Sequence, residues 1–173
     1  MSEQLTTQTQ PESPDNFNSI LIGGGVIFVI SIVPYLNLIN GCCLGMLLGG
    51  GIAVWHYANQ YNLSLTSGEG FKLGAMAGLL GGLAGLVIGY VFVLLFNYQP
   101  GVDDSKRLML NLFGTDPAVR AQIEESFREA SENALSATNI AIGTIGTVII
   151  YPLFAGLGGI IAASAFKKGS QPV

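Results

Sequence analysis

The sequence predicts an all-α integral membrane protein: a four-helix bundle with glycine-lined helices and a short amphipathic helical insertion between its third and fourth spans. Half of the 173 residues are apolar and only 10% are charged, against about 25% charged residues in soluble domains. The 24 glycines are about twice the usual share of roughly 7%. Residues 70–96 carry one charge, Lys72, and are long enough as a helix to cross a hydrocarbon core of roughly 30 Å.

The first two spans are expected at 17–35 and 41–57. They follow a polar tail, residues 1–16, that contains no Lys or Arg. Such a tail buries too little apolar surface to fold and lacks the positive region of a cleaved signal. The short connection between the spans predicts an antiparallel hairpin. Trp55 and Tyr57 end the second span with residues that favour the membrane–water boundary.

The third span is expected at 70–96. Thr66 and Glu69 have the spacing of a capping box that would start its helix. The fourth span is expected at 139–166, with a proline, Pro152, inside it. Residues 17–168 would then form a single membrane domain, followed by a short tail at 169–173.

The polar region between the last two spans, residues 103–134, predicts two short helices. The second would begin with Asp116 as its N-cap and Pro117 as its first residue. Apolar residues at steps of three and four mark one face of this helix, and charged residues mark the other. Three roles stay open for it: lying on the membrane surface, capping the bundle, or presenting a docking face.

Small residues recur every four positions within the spans, which places them on one face of a helix. Such a face lets another helix approach closely, and in lipid this is a main source of helix–helix attraction. The positions predicted to pack helices together are Gly41, Gly45, Gly49, Gly74, Gly78, Gly81, Gly82, Gly85, Gly89 and Gly159.

The charges predict an orientation in the membrane. Four spans would place both termini on one side, together with Lys72, Lys167 and Lys168, all close to span ends. By the positive-inside rule we expect both termini in the cytoplasm, at the bacterial inner membrane, and residues 103–134 outside. The net charge of −4 and the lack of a dense basic patch argue against a nucleic-acid partner.

Few residues suggest chemistry, and we predict no catalytic, cofactor or metal site. Cys42 and Cys43 are interpreted as packing residues, because adjacent helical positions point about 100° apart and no further ligands lie nearby. His56, between two aromatic residues, is interpreted as an interfacial anchor rather than a titrating group. Glu69 is interpreted as a helix cap, although a membrane enzyme using His56 and Glu69 stays a minor hypothesis.

No charged residue falls in the middle of any expected span, which argues against a pump or a proton-coupled transporter. The favoured hypothesis is a non-enzymatic accessory, scaffold or self-associating membrane subunit. Its partners would be the lipid bilayer and either a second copy or another membrane protein. The alternative is a small oligomeric channel, since glycine-rich helices can line a narrow pore when several copies assemble.

Two stretches suggest a family. Residues 34–51 read PYLNLINGCCLGMLLGGG, and residues 64–74 read SLTSGEGFKLG. With the polar third loop and the basic end of the fourth span, they resemble small bacterial four-span membrane proteins of the domain-of-unknown-function type. The resemblance implies a multi-pass membrane fold and brings no activity, cofactor or functional residue with it.

Overall fold

The computed structural model describes residues 15–33, 36, 43–96 and 102–166. Within these ranges the all-α fold is confirmed, since the described residues contain six helices and no strand. In chain order the helices are α1 (Phe17–Ile32), α2 (Leu44–Tyr61), α3 (Ser67–Phe96), α4 (Val102–Phe113), α5 (Pro117–Glu132) and α6 (Ala137–Ala165).

Two of the predicted helix starts are confirmed by their hydrogen bonds. The backbone N–H and the hydroxyl of Thr66 both donate to Glu69 Oε2 at 2.8 Å, and the Glu69 N–H donates to Thr66 Oγ1 at 3.3 Å. This capping box starts α3 at Ser67, one turn ahead of the expected span. In α5, the Ala118 N–H donates to Asp116 Oδ1 at 2.8 Å.

The helices α1 and α2 differ from their expected bounds. Helix α1 ends at Ile32, just before Pro34, because the residue before a proline disfavours helical backbone. Helix α2 begins after Cys43 and continues to Tyr61, one turn past the expected end at residue 57. Asn62 then adopts the left-handed conformation, with a φ of 55°, which ends the helix.

The helices α1, α2, α3 and α6 pack into a four-helix bundle. Both α1 and α6 pack on α2 and on α3, and α2 also meets α3 across the middle. Contacts pair Gly23 with Gly49, and Ser19 with His56, so α1 and α2 are antiparallel. The helices therefore alternate in direction, and the described residues nearest the two termini lie at one end. The helices α4 and α5 pack on each other.

Small residues fill the interior of the bundle. A Cβ added at Gly70 would lie 2.6 Å from the carbonyl oxygen of Gly159 on α6, and one at Gly81 would lie 2.5 Å from that of Gly24 on α1. Separations under about 3 Å are clashes, so α3 presents one glycine face to α6 and another to α1. Ala77 and Ala155, at the same level, are fully buried.

Large apolar side chains cover the outside of the bundle, including Leu48 on α2, Val87 on α3 and Ile145 on α6. By length and composition α3 and α6 are candidate membrane spans, while α1 is apolar but shorter. Two candidate spans are therefore found among the described helices, and the four expected ones are not confirmed. Helix α2 carries His56, Asn59 and Gln60 in its last turns, which lowers its hydropathy.

We expect Gly78→Ala and Gly25→Ala to change stability in opposite directions. A Cβ at Gly78 would lie 2.5 Å from the carbonyl oxygen of Tyr151, so α3 and α6 must separate, at a cost of about 1–3 kcal/mol in the free energy of unfolding. A Cβ at Gly25 meets nothing within 4 Å, and the better helix propensity of alanine stabilises by up to about 1 kcal/mol. Detergent-induced unfolding followed by circular dichroism measures both; equal effects would contradict this packing.

Candidate functional site

The predicted packing glycines separate into a buried set and an open set. Gly85 and Gly89 form the open set, with room for a side chain: a Cβ at Gly85 would make an ordinary contact with Ser31, at 3.6 Å, and a Cβ at Gly89 would meet nothing within 4 Å. Gly41 lies outside the described residues. The buried positions are Gly45, Gly49, Gly74, Gly78, Gly81, Gly82 and Gly159.

The open glycines form the floor of a cleft between α1, α3 and α6, with a volume of about 420 Å³. The cleft exists because the helices differ in length. Helix α1 has 16 residues and ends at Ile32, beside Gly85, whereas α3 has 30 residues and continues to Phe96. Past the end of α1, the described residues beside this part of α3 belong to α6 and, at Val102, to the start of α4.

Four hydroxyl groups line this cleft, those of Ser31, Tyr90, Thr147 and Tyr151. The Ser31 hydroxyl donates to the carbonyl oxygen of Ile27 at 2.8 Å. Tyr90 reaches across to α6, where a Cβ at Gly143 would lie 3.4 Å from its hydroxyl oxygen. The cleft therefore combines exposed glycine backbone with phenol and alcohol groups.

The hydroxyls of Tyr90, Thr147 and Tyr151 have no hydrogen-bond partner among the described residues. The described lining of the cleft also contains no Asp, Glu, Lys, Arg or His. All three residues are half-buried, so their hydroxyls can be reached by a molecule in the cleft. The cleft is thus suited to a neutral group that can accept hydrogen bonds.

Polar contacts at the other end of the bundle join α1 to α2. Ser19 Oγ lies 3.0 Å from His56 Nδ1, and the Tyr61 hydroxyl donates to the carbonyl oxygen of Asp15 at 2.9 Å. Ser19 is fully buried, so no substrate can reach its hydroxyl in this conformation. The contact spans 37 residues of sequence, and no spacing rule points to it.

The two residues of the minor enzyme hypothesis make no described hydrogen bond or ion pair with each other. The described hydrogen bond of the His56 ring goes to Ser19, and the Glu69 carboxylate accepts from Thr66. Cys43 is half-buried at the start of α2, and Cys42 lies outside the described residues. Within the described ranges, no cluster of three or more His, Cys, Asp or Glu side chains could hold a metal ion.

In the α4–α5 hairpin, the ion pairs lie on α5 and the most exposed large apolar side chains lie on α4. Arg128 lies 2.6 Å from Glu125, and the hydrogen bond and charge of Glu125 raise the pKa of the arginine. Exposed ion pairs of this kind stabilise by less than about 1 kcal/mol. Leu112 and Phe113 are exposed, and Val102 at the start of α4 reaches the cleft.

Comparisons with protein-family models, with curated proteins and with solved structures give no match. A fold alone does not imply a function, which has to come from the chemistry of a site. Among the described residues, the cleft brings hydroxyl groups and open space together.

We expect Ser19→Ala to lower the free energy of unfolding by about 1 kcal/mol, because it leaves the Nδ1 atom of His56 without its partner. The control is Ser164→Ala. The Ser164 hydroxyl is exposed and donates to the carbonyl oxygen of Ile160 in its own helix at 2.9 Å. Removing it should change the free energy of unfolding by no more than about 0.5 kcal/mol. Unfolding in detergent measures the stability of both variants. An equal loss of stability in the two would show that the Ser19–His56 contact does not hold α1 against α2.

Proposed function

We propose that this chain is a four-span integral membrane protein that acts by binding another membrane component, as an accessory or self-associating subunit, and not by catalysis. The observation that carries the proposal is the cleft. Its glycine floor at Gly85 and Gly89 is open, while the other described predicted packing glycines are buried inside the bundle. An open glycine face lets a partner approach the backbone closely.

The membrane setting is supported by the distribution of residues. In its most apolar 18-residue window, α3 is only 11% buried and α6 only 28%, whereas the core helix of a soluble protein is mostly buried. Large apolar side chains such as Val87, Ile145 and Ile149 point away from the protein. Covering such a surface with lipid costs no free energy, whereas exposing it to water is unfavourable.

The neighbours of α3 and α6 support four spans rather than two. Helices α1 and α2 pack on both of these long helices, so they occupy the same layer. Their 16 and 18 residues extend roughly 24 and 27 Å at 1.5 Å per residue. A bilayer adapts to spans a few ångströms short of its core by local thinning.

An orientation with cytoplasmic termini at the bacterial inner membrane is part of the proposal. The described residues nearest the termini lie at one end of the bundle, where Lys72 also lies, and Lys167 and Lys168 follow α6 directly in the sequence. Basic residues close to span ends favour the cytoplasmic side. The α4–α5 hairpin then lies on the other side.

The lack of a base among the described residues that line the cleft supports a binding role. A serine, threonine or tyrosine hydroxyl becomes a nucleophile when a neighbouring base removes its proton. The described residues that line the cleft include no histidine, carboxylate or amine. Ser19 has a histidine beside it but is fully buried.

Native mass spectrometry of the protein, extracted gently from its own membrane, tests this role. We expect mass above that of one chain, and we expect Gly89→Leu to lose it, because a leucine there fills the floor of the cleft. The control is Gly25→Leu. Gly25 is equally open, with nothing within 4 Å of a Cβ, but does not line the cleft.

A bare monomer in the wild-type spectrum would contradict the proposal. So would equal retention of the bound mass in both variants, since the cleft would then not be the place where the component binds.

A further inference from the structure

We infer that the cleft binds an uncharged lipid whose head group carries oxygen acceptors, of the diacylglycerol class. This inference rests on the proposed function, because it identifies the membrane component that the cleft holds. It depends on three properties of the cleft: its charge, its unpaired donors and its size.

The charge of the lining selects a neutral ligand. No charged or titratable side chain other than tyrosine lines the described part of the cleft. A phosphate or ammonium group placed there would lose its water without gaining a counter-ion, and such burial is strongly unfavourable. The described lining offers no counter-ion to the phosphate of a phospholipid, so the cleft favours a neutral head group over a charged one.

The hydroxyls select a ligand with acceptors. Among the described residues, Tyr90, Thr147 and Tyr151 make no hydrogen bond, so their O–H groups are free to donate. Two of them, Thr147 and Tyr151, are one turn apart on α6, and Tyr90 faces them from α3. Ester carbonyl and glycerol oxygens accept such bonds. The backbone carbonyls of a partner helix are already bonded within that helix and suit these donors less well.

The size and the opening of the cleft fit the head of a lipid. Its volume of about 420 Å³ lies within the roughly 300–1,000 Å³ typical of small-molecule sites. The floor is glycine backbone, and the walls include Ile32, Leu86 and Val93. The head group fits against the hydroxyls, and the acyl chains extend along the apolar outer surface of α3.

Two lipids with the same acyl chains test the inference. The purified full chain in detergent is titrated with dioleoylglycerol and, separately, with dioleoylphosphatidic acid, and bound lipid is counted by native mass spectrometry. We expect saturable binding of one dioleoylglycerol per chain and at least about tenfold weaker binding of phosphatidic acid, which differs by its charged phosphate.

Substitutions that remove single hydroxyls test where the lipid binds. We expect the double variant Tyr90→Phe, Tyr151→Phe to weaken dioleoylglycerol binding about tenfold, and Thr147→Val to weaken it about threefold. Thr144→Val is the matched control, because Thr144 lies one turn away on the same helix and does not line the cleft. Its binding should equal that of the wild type. Thr147→Val keeps the test valid if the double variant does not fold.

Equal affinity for the two lipids, or unchanged binding in both the double variant and Thr147→Val, would overturn the inference. A second copy of the chain as the sole bound mass would overturn it while leaving the proposed binding role intact. A monomer without any bound mass would overturn both.

Discussion

Direct contact between helix backbones is the interaction on which this bundle depends. Helices α3 and α6 meet where Gly70 and Gly74 lie against the carbonyl groups of Gly159 and Ala155. In lipid, burying apolar side chains between helices brings no hydrophobic gain, so close van der Waals contact and weak Cα–H···O bonds carry the association. Because glycine and alanine fill the interior, the large apolar side chains are placed outside, where the proposed bilayer covers them.

The same interaction explains where the cleft lies. The glycines of α3 that face α1 are covered as far as α1 runs beside them, and α1 ends at Ile32 while α3 continues. Gly81 is therefore buried against α1, and Gly89, two turns later on the same face, is open. One evenly spaced glycine pattern thus produces a packing surface and an open surface. The hydroxyls of Tyr90 and Tyr151 make the open part chemically different from the apolar outer surface of the bundle.

Local signals in the sequence predict local structure well here. The Thr66–Glu69 capping box and the Asp116 N-cap depend on residues a few positions apart, and both form as expected. Helix α2 continues past Trp55 and Tyr57 to Tyr61, because aromatic residues indicate a membrane boundary and do not end the backbone hydrogen bonding of a helix, which ends here at Asn62.

Contacts between distant helices could not be predicted in the same way. Four-residue spacing shows that glycines share a face, but it does not show which helix packs there or where a shorter neighbour ends. The cleft depends on the relative lengths of α1 and α3, and the Ser19–His56 contact depends on the register between α1 and α2. The residue pattern of one helix determines neither the length of its neighbour nor the register between the two helices.

The central claim is that lipid surrounds all four helices of the bundle. Quenching of tryptophan fluorescence by brominated phosphatidylcholine tests this claim. The native tryptophan is removed by Trp55→Phe, and each variant then carries one new tryptophan on the outer face of one helix of the bundle. The control is Gln122→Trp, on the exposed helix α5. The four positions, all exposed, are Val29, Leu48, Val87 and Ile145. Strong quenching at all four, and none at the control, is the predicted result. Quenching at Val87 and Ile145 alone would show that only α3 and α6 span the membrane. Quenching at none of the four positions would contradict the claim that lipid surrounds the bundle.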